Sequence, residues 1–274
     1  MTLRLGLIAG AGRFPFHIAQ EAKRQGAAIA AIGIRGWADP GLAAEVDAYQ
    51  ELSIGQLGQL IQWLKAQGVR QAVMAGKVTK DVLLDPRTQF DQDALAVLGQ
   101  VKELSVPAVL GAIAKRLAGE GVVLLDSSTF LRTYLCPEGV LTATAPTAAQ
   151  QEDIRVGLGA ARQLAALDIG QTVVVKGRVI VAVEALEGTD AAIRRAHDLA
   201  GDGLVVVKAA APDQDRRFDL PVIGRDTLKT LVASGVTCLA VQAGSTLLLE
   251  REALIRAFDA AGICLIGVAE PAAG

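Results

Sequence analysis

The chain is 274 residues long and 51% apolar, with 27 basic against 29 acidic side chains and a formal net charge of −2. That balance offers no basic face to nucleic acid, and an aromatic content of 4% supplies no platform for stacking single-stranded bases. Two histidines (His17 and His197) and three scattered cysteines (Cys136, Cys238 and Cys264) argue against a histidine zinc centre, a Ser-His-Asp triad and a disulfide framework, and the cysteines read as buried thiols of a reducing compartment.

In chain order, Leu3 to Ala9 is an apolar run of the kind that forms a buried parallel strand. Gly10-Ala11-Gly12 is the turn after it. Phe14, Ile18 and Ala22 then recur at helical spacing up to Gly26, and Ala27 to Ile34 is a second strand. A strand, glycine turn, helix and strand in succession predict a right-handed crossover in a doubly wound, Rossmann-like parallel sheet. Val46 to Tyr49 is a short strand, Gln56 to Gln67 an amphipathic helix, and Gln71 to Ala75 a strand. Ala108 to Ala118 is a helix and Val122 to Leu125 a strand, with Ser127 as N-cap of a short helix.

Cys136 to Ala149 has little apolar periodicity and carries Pro137, Gly139 and Pro146, which reads as an interdomain linker with the composition of a hinge. A second series follows: a helix from Ala148 to Ala166, strands from Gln171 to Lys176 and Arg178 to Val183 turning at Gly177, and a helix from Thr189 to Ala200. Strands at Leu204 to Lys208, Cys238 to Val241 and Cys264 to Val268 alternate with helices at Asp226 to Ser234 and Glu250 to Ala261. The expected architecture is two α/β domains: a Rossmann-like nucleotide-binding domain over residues 1–135, a linker over 136–149, and a mixed α/β catalytic domain over 150–274. Clefts between such domains are common sites for small molecules. The N-terminal apolar run is too short for a signal peptide. No apolar stretch reaches the roughly 18 residues of a membrane span. A cytoplasmic location is expected.

Four segments carry chemistry. GLIAGAGRFP (Gly6 to Pro15) puts glycines between a strand and a helix start, where backbone N–H groups and the helix dipole favour a phosphate. Pro15 stands where a dinucleotide fingerprint needs its third glycine, and Ile34-Arg35-Gly36 lacks the usual ribose-binding acid. NAD is therefore disfavoured, leaving a tight turn or a mononucleotide or diphosphate contact. AGKVTK (Ala75 to Lys80) places Lys77 at another strand end, as a phosphate ligand or a surface lysine. VEALEGTD (Val183 to Asp190) spaces Glu184, Glu187 and Asp190 by threes, as Mg²⁺ ligands or as dipole compensation at a helix start that Thr189 caps. KAAAPDQDRRFDLPVIG (Lys208 to Gly224) combines Asp213, Asp215 and Asp219 with Lys208, Arg216 and Arg217. Pro221 limits the freedom of the chain just after Asp219, which suits a positioned carboxylate.

GLIAGAGRFP, DIGQTVVVKG (Asp168 to Gly177), AVEALEGTDAAIRR (Ala182 to Arg195) and the Lys208–Gly224 stretch followed by Asp226-Thr227 together resemble the LpxI family of UDP-2,3-diacylglucosamine pyrophosphatases in lipid A biosynthesis. The matches run in order from near residue 3 to near residue 268. The resemblance implies Mg²⁺-dependent hydrolysis of the UDP-sugar diphosphate to UMP and 2,3-diacylglucosamine 1-phosphate, with water attacking the phosphorus nearer the sugar. It places the family's essential aspartate on Asp219. Beside it, Arg217 and Lys208 are the candidates for the phosphate charge, and Glu187 and Asp190 are candidate metal-side carboxylates with Asp219, Asp215 standing behind them as a second-rank metal-side group. Candidate substrate contacts are Gly10, Ala11, Gly12, Lys77, Gln171, Gly188, Thr189, Gln214 and Thr227. A lipid-linked substrate implies peripheral association with the cytoplasmic membrane surface and leaves homo-oligomerisation open. The chain departs from the family at Ser105-Val106-Pro107, where an acidic pair is common, and at Gln242, where glutamate is common. Two other readings stand beside the hydrolase: a non-catalytic nucleotide-sugar binding or regulatory protein, and a sugar-nucleotide transferase.

Overall fold

A computed structural model describes residues 3–78, 88–101, 105–211, 215–218 and 220–269. The chain divides into two compact units. The first takes in Met1–Arg132 together with a short excursion, Asp215–Asp219, and the second takes in Thr133–Gln214 and Leu220–Gly274.

The first unit is built on β1 (Arg4–Ala9), α1 (Phe14–Arg24), β2 (Ala28–Ile34), β3 (Ala48–Leu52), α2 (Leu57–Ala66), β4 (Gln71–Ala75), α3 (Gln92–Leu98), α4 (Val106–Gly119) and β5 (Val123–Leu124). The strands form one sheet in the order β3-β2-β1-β4-β5, every neighbouring pair parallel. The continuous apolar runs of β1 and β2 are buried because a parallel sheet is covered on both faces. Proline in the first turn of α1 costs no hydrogen bond, and the chain leaves that helix through Gly26 at φ +87°. One apolar cluster joins Ile32, Leu60, Leu64 and Leu117. Each such fully buried side chain contributes about 1.5–3 kcal/mol.

Helix α3 is not evident from apolar periodicity. Asp91 fixes its start, accepting the N–H of Ala94 at 2.9 Å and reaching Gly58 of α2 at 2.8 Å. Ser127 does not open a helix. It lies in a turn after β5 that Asp126 organises, accepting the N–H of Ser128 through its carboxylate and that of Thr129 through its carbonyl.

The second unit runs through β6 (Gly139–Val140), α5 (Ala148–Ala166), β7 (Thr172–Lys176), β8 (Val179–Val183), α6 (Thr189–Ala200), β9 (Leu204–Lys208), β10 (Val222–Ile223), α7 (Arg225–Ala233), β11 (Val236–Gln242), β12 (Leu247–Leu248), α8 (Arg251–Ala260) and β13 (Cys264–Val268). Its main sheet has the order β6-β13-β11-β9-β7-β8 and is mixed: β9, β11 and β13 are parallel, while β6 and β7 run against them. The β7–β8 hairpin turns at Gly177 and Arg178, both at positive φ, as a two-residue loop with the right twist requires. The buried carboxylate of Asp153 on α5 accepts both of their N–H groups.

Residues 136–149, expected as a linker, are built into this unit. Cys136 is buried and donates its N–H to Thr246, and Gly139–Val140 pairs with β13. Thr147 closes a capping box with Gln150 at the start of α5. Strands of two residues carry no periodicity, so β6 was hidden from pattern reading. All three cysteines are free and buried, and burial pushes the Cys136 thiol up to about 11.

Candidate functional site

The chemistry-bearing residues collect at the carboxyl edges of the two sheets, where open α/β sheets take their ligands. In the first unit the sheet order reverses between β1 and β4. The loops after these two strands, Gly10–Gly12 and Gly76–Lys77, are tied together. Ala11 donates its N–H to Lys77 O at 2.9 Å, Lys77 returns one to Ala11 O at 3.0 Å, and Gly10 donates to Ala75 O at 2.8 Å. The approach demands glycine: a Cβ on Gly10 would lie 2.7 Å from Lys77 O, and one on Gly76, at φ +94°, 2.7 Å from the Gly10 carbonyl carbon. The N–H groups of Gly10 and Ala11, expected to meet a phosphate, are thus engaged within the fold. Gly12, at φ +92° with open space around it, and the exposed Lys77 stand on the solvent side of this bridge.

The excursion reaches the same edge. Ser127, 1% exposed, donates its N–H to Arg216 O at 2.9 Å, and its hydroxyl lies 2.9 Å from the carbonyl oxygens of both Met74 and Arg217. Asp126 faces Arg216 at 3.5 Å, and Phe218 packs on the apolar cluster of the unit. Asp215 grips Arg217 through both carboxylate oxygens. That bidentate hydrogen bonding holds Asp215 below the usual carboxylate range, while the same bonds raise Arg217. The guanidinium also lies 4.9 Å from the Phe218 ring centroid.

In the second unit Lys208, the last residue of β9, points into a half-enclosed polar cluster. Its Nζ lies 3.0 Å from the Thr189 hydroxyl, 3.3 Å from the Thr172 hydroxyl and 3.9 Å from Glu184 Oε2. Thr189 in turn donates to Glu184 Oε1 at 2.8 Å. Desolvation pushes the Glu184 carboxyl up, but the Lys208 charge together with hydrogen bonds from Thr172, Thr189 and the Gln171 N–H outweighs it, so its pKa is lowered. Gln171 also accepts the N–H of Ala209. Gln242 ends β11 nearby in the sheet and accepts the N–H of Ala210 at 3.1 Å, so the neutral amide fixes the start of the Lys208–Gly224 stretch.

Several expected roles move. Gly188, not Thr189, is the N-cap of α6, which releases the Thr189 hydroxyl to bridge Lys208 and Glu184. Glu187 turns to Arg195 at 2.6 Å and to the Ala185 N–H at 3.1 Å, and its own N–H with these partners lowers its pKa. Asp190 is exposed in the first turn of α6, and Thr227 is partly buried in the first turn of α7. Asp219, Gln214 and Asp213 lie outside the described residues. Among the described residues no three His, Cys, Asp or Glu side chains group as metal ligands. Glu187 divides its oxygens between Arg195 and the Ala185 N–H, and Asp215 gives both of its oxygens to Arg217, so neither carboxylate is open to Mg²⁺ as it stands.

Two family models cover the chain, the LpxI N-terminal domain over residues 4–134 and the LpxI C-terminal domain over 137–266. The chain belongs to the LpxI family. It is 33% identical over 277 aligned positions, covering 97% of both chains, to the Caulobacter vibrioides protein named UDP-2,3-diacylglucosamine pyrophosphatase LpxI. A crystal structure of the biotin carboxylase subunit of pyruvate carboxylase matches at 14% identity with a TM-score of 0.27, over 73% of this chain and 43% of that one. That likeness is too slight to bear on fold or function. In this LpxI chain the residues missed by sequence reasoning are Thr172 and Ser127, both buried and polar. Their partners come from distant segments, so no local spacing announces them. Glu184 was visible within VEALEGTD, though its pairing with Lys208 was not. Among the described residues no helix is long and apolar enough to cross a membrane.

Proposed function

We propose that this chain hydrolyses the diphosphate of UDP-2,3-diacylglucosamine. Water attacks the phosphorus nearer the sugar, the bond from that phosphorus to the bridging oxygen breaks, UMP leaves with that oxygen, and 2,3-diacylglucosamine 1-phosphate keeps the oxygen from water. The observation that carries the reading is the end-to-end match to both LpxI domain models together with 33% identity over 97% of a relative named for this activity.

Asp219 is the candidate to orient or deprotonate the water. Arg217, held in a fixed orientation by Asp215, presents planar charge suited to phosphoryl oxygens. Lys208 is the second candidate cation, its charge shared with Glu184. Magnesium dependence is part of the proposal and rests on the family resemblance. When bound, the ion would supply charge neutralisation at the diphosphate. A lipid-linked substrate also supports peripheral association with a membrane surface.

The test is UMP release from UDP-2,3-diacylglucosamine by the purified protein and its Asp219→Ala variant, without any acceptor. We expect UMP from the first and a loss on the order of 10²–10⁴ in the second, the range for a positioned general base. In H₂¹⁸O the label should enter the sugar phosphate. Saturable UDP-sugar binding without turnover would favour a binding protein, and UMP release only with an added acceptor would favour a transferase.

A further inference from the structure

The described part of the excursion, Asp215–Phe218, is tied to the first unit chiefly through one small residue. Ser127 is 1% exposed; its N–H donates to Arg216 O, and its hydroxyl, whose one proton is shared between Arg217 O and Met74 O, lies 2.9 Å from Arg217 O. The same hydroxyl lies 2.9 Å from Met74 O on β4. It therefore sits between the fourth strand of the sheet and the turn that ends at Phe218, one residue before Asp219. Asp126 adds a charge 3.5 Å from Arg216, and Phe218 adds apolar contact with the core. A buried donor aimed at carbonyls of a distant segment fixes that segment in register, because leaving those carbonyls unpaired is costly. Alanine leaves the Arg217 carbonyl without this donor, while the backbone bond to Arg216 remains.

We propose that Ser127 is a positioning residue for the diphosphate hydrolysis, holding the Arg216–Phe218 turn at the carboxyl edge of the first sheet and so setting where Arg217 meets the substrate. This rests on the hydrolase reading above and names a residue that no motif of the chain announces.

The experiment compares the full-length wild type with Ser127→Ala and with Thr129→Ala, which loses a 2.6 Å bond to Asp126 O in the same turn. Two quantities are read: kcat and KM for UMP release per folded molecule, and hydrogen–deuterium exchange of the peptide spanning 209–221 without substrate. We expect S127A to lose kcat by tenfold to a hundredfold, the scale of a misplacement of about 1 Å. KM should stay within about twofold and exchange should quicken in the 209–221 peptide, while T129A matches wild type in both readouts. An S127A protein with wild-type kcat, whatever its KM or melting temperature, overturns the proposal. So does unchanged exchange, or an equal loss in T129A, which would mark general loosening of the turn. If S127A does not accumulate folded, Ser127→Gly, which also lacks the hydroxyl, is judged by the same criteria. A wild type that releases no UMP defeats the hydrolase reading itself, an outcome distinct from an active wild type matched by S127A.

Discussion

Lys208 and Glu184 face one another at 3.9 Å, with their side chains only 11% and 14% exposed, and Thr189 touches both. Breaking a buried pair by removing one partner strands the other charge, typically at 3–5 kcal/mol. Glu184→Gln keeps an acceptor for Thr189 and should fall at the lower end, about 3 kcal/mol at pH 7. The pH dependence has a definite sign. Because the folded pKa of Glu184 is lowered, its contribution is complete above the unfolded value, roughly 4.3, and is lost as pH falls through the folded value. Urea unfolding of wild type and E184Q should therefore differ at pH 7 and converge in strong acid. A constant difference at both pH values would show that the pair's charge is not what matters.

Arg217 owes its orientation to Asp215, a pair exposed by 40% and 36% and thus worth little as stability, about 0–1 kcal/mol. The expected effect is kinetic. Arg217→Lys keeps the charge but loses the planar fork, and kcat/KM for UMP release should fall at least tenfold, with the melting temperature within a few degrees of wild type. Asp215→Asn should fall less, since the amide still offers one acceptor. Full activity in R217K would remove Arg217 from the phosphate site.

The bridge between the β1 and β4 loops predicts a stability defect. Gly76→Ala meets both an overlap at 2.7 Å and a positive φ, the latter alone costing roughly 1–2 kcal/mol. Gly12→Ala shares the positive φ without the overlap. Thermal unfolding should rank G76A well below G12A, and G12A below wild type. Equal melting of the two variants would mean that the loops part easily.

Chelation tests the metal. If hydrolysis depends on Mg²⁺, EDTA should abolish UMP release and added Mg²⁺ restore it. Glu187→Gln should leave the half-saturating Mg²⁺ concentration unchanged, because that carboxylate is occupied by Arg195 and the Ala185 N–H. A severalfold rise in that concentration would return Glu187 to the metal shell.

Much of this molecule was legible before its structure. Strands β1, β2, β4, β9 and β13 are continuous apolar runs closed by glycine or charge, and the α5 and α6 boundaries are nearly as expected. What escaped was set by tertiary partners. Helix α3 depends on Asp91 reaching Gly58, and the two-residue strand β6 exists only because β13 lies beside it. The same holds for the site. Lys208 and Thr189 were singled out by motif, but the turn of Glu187 away toward Arg195 and the use of the Gly10 and Ala11 amides by the opposite loop depend on contacts that no spacing encodes.

The excursion at Asp215–Asp219 also bears on how the protein can be taken apart. The family's two sequence models meet near residues 134–137, yet a single cut there would leave the amino-terminal fragment without the strip that Ser127 binds and whose Phe218 packs on its apolar cluster. The halves are not modular in the genetic sense. Shuffling one against a relative's partner would have to carry residues 215–219 along with the amino-terminal half, and deletion or tagging within that strip should disturb both halves of the chain at once.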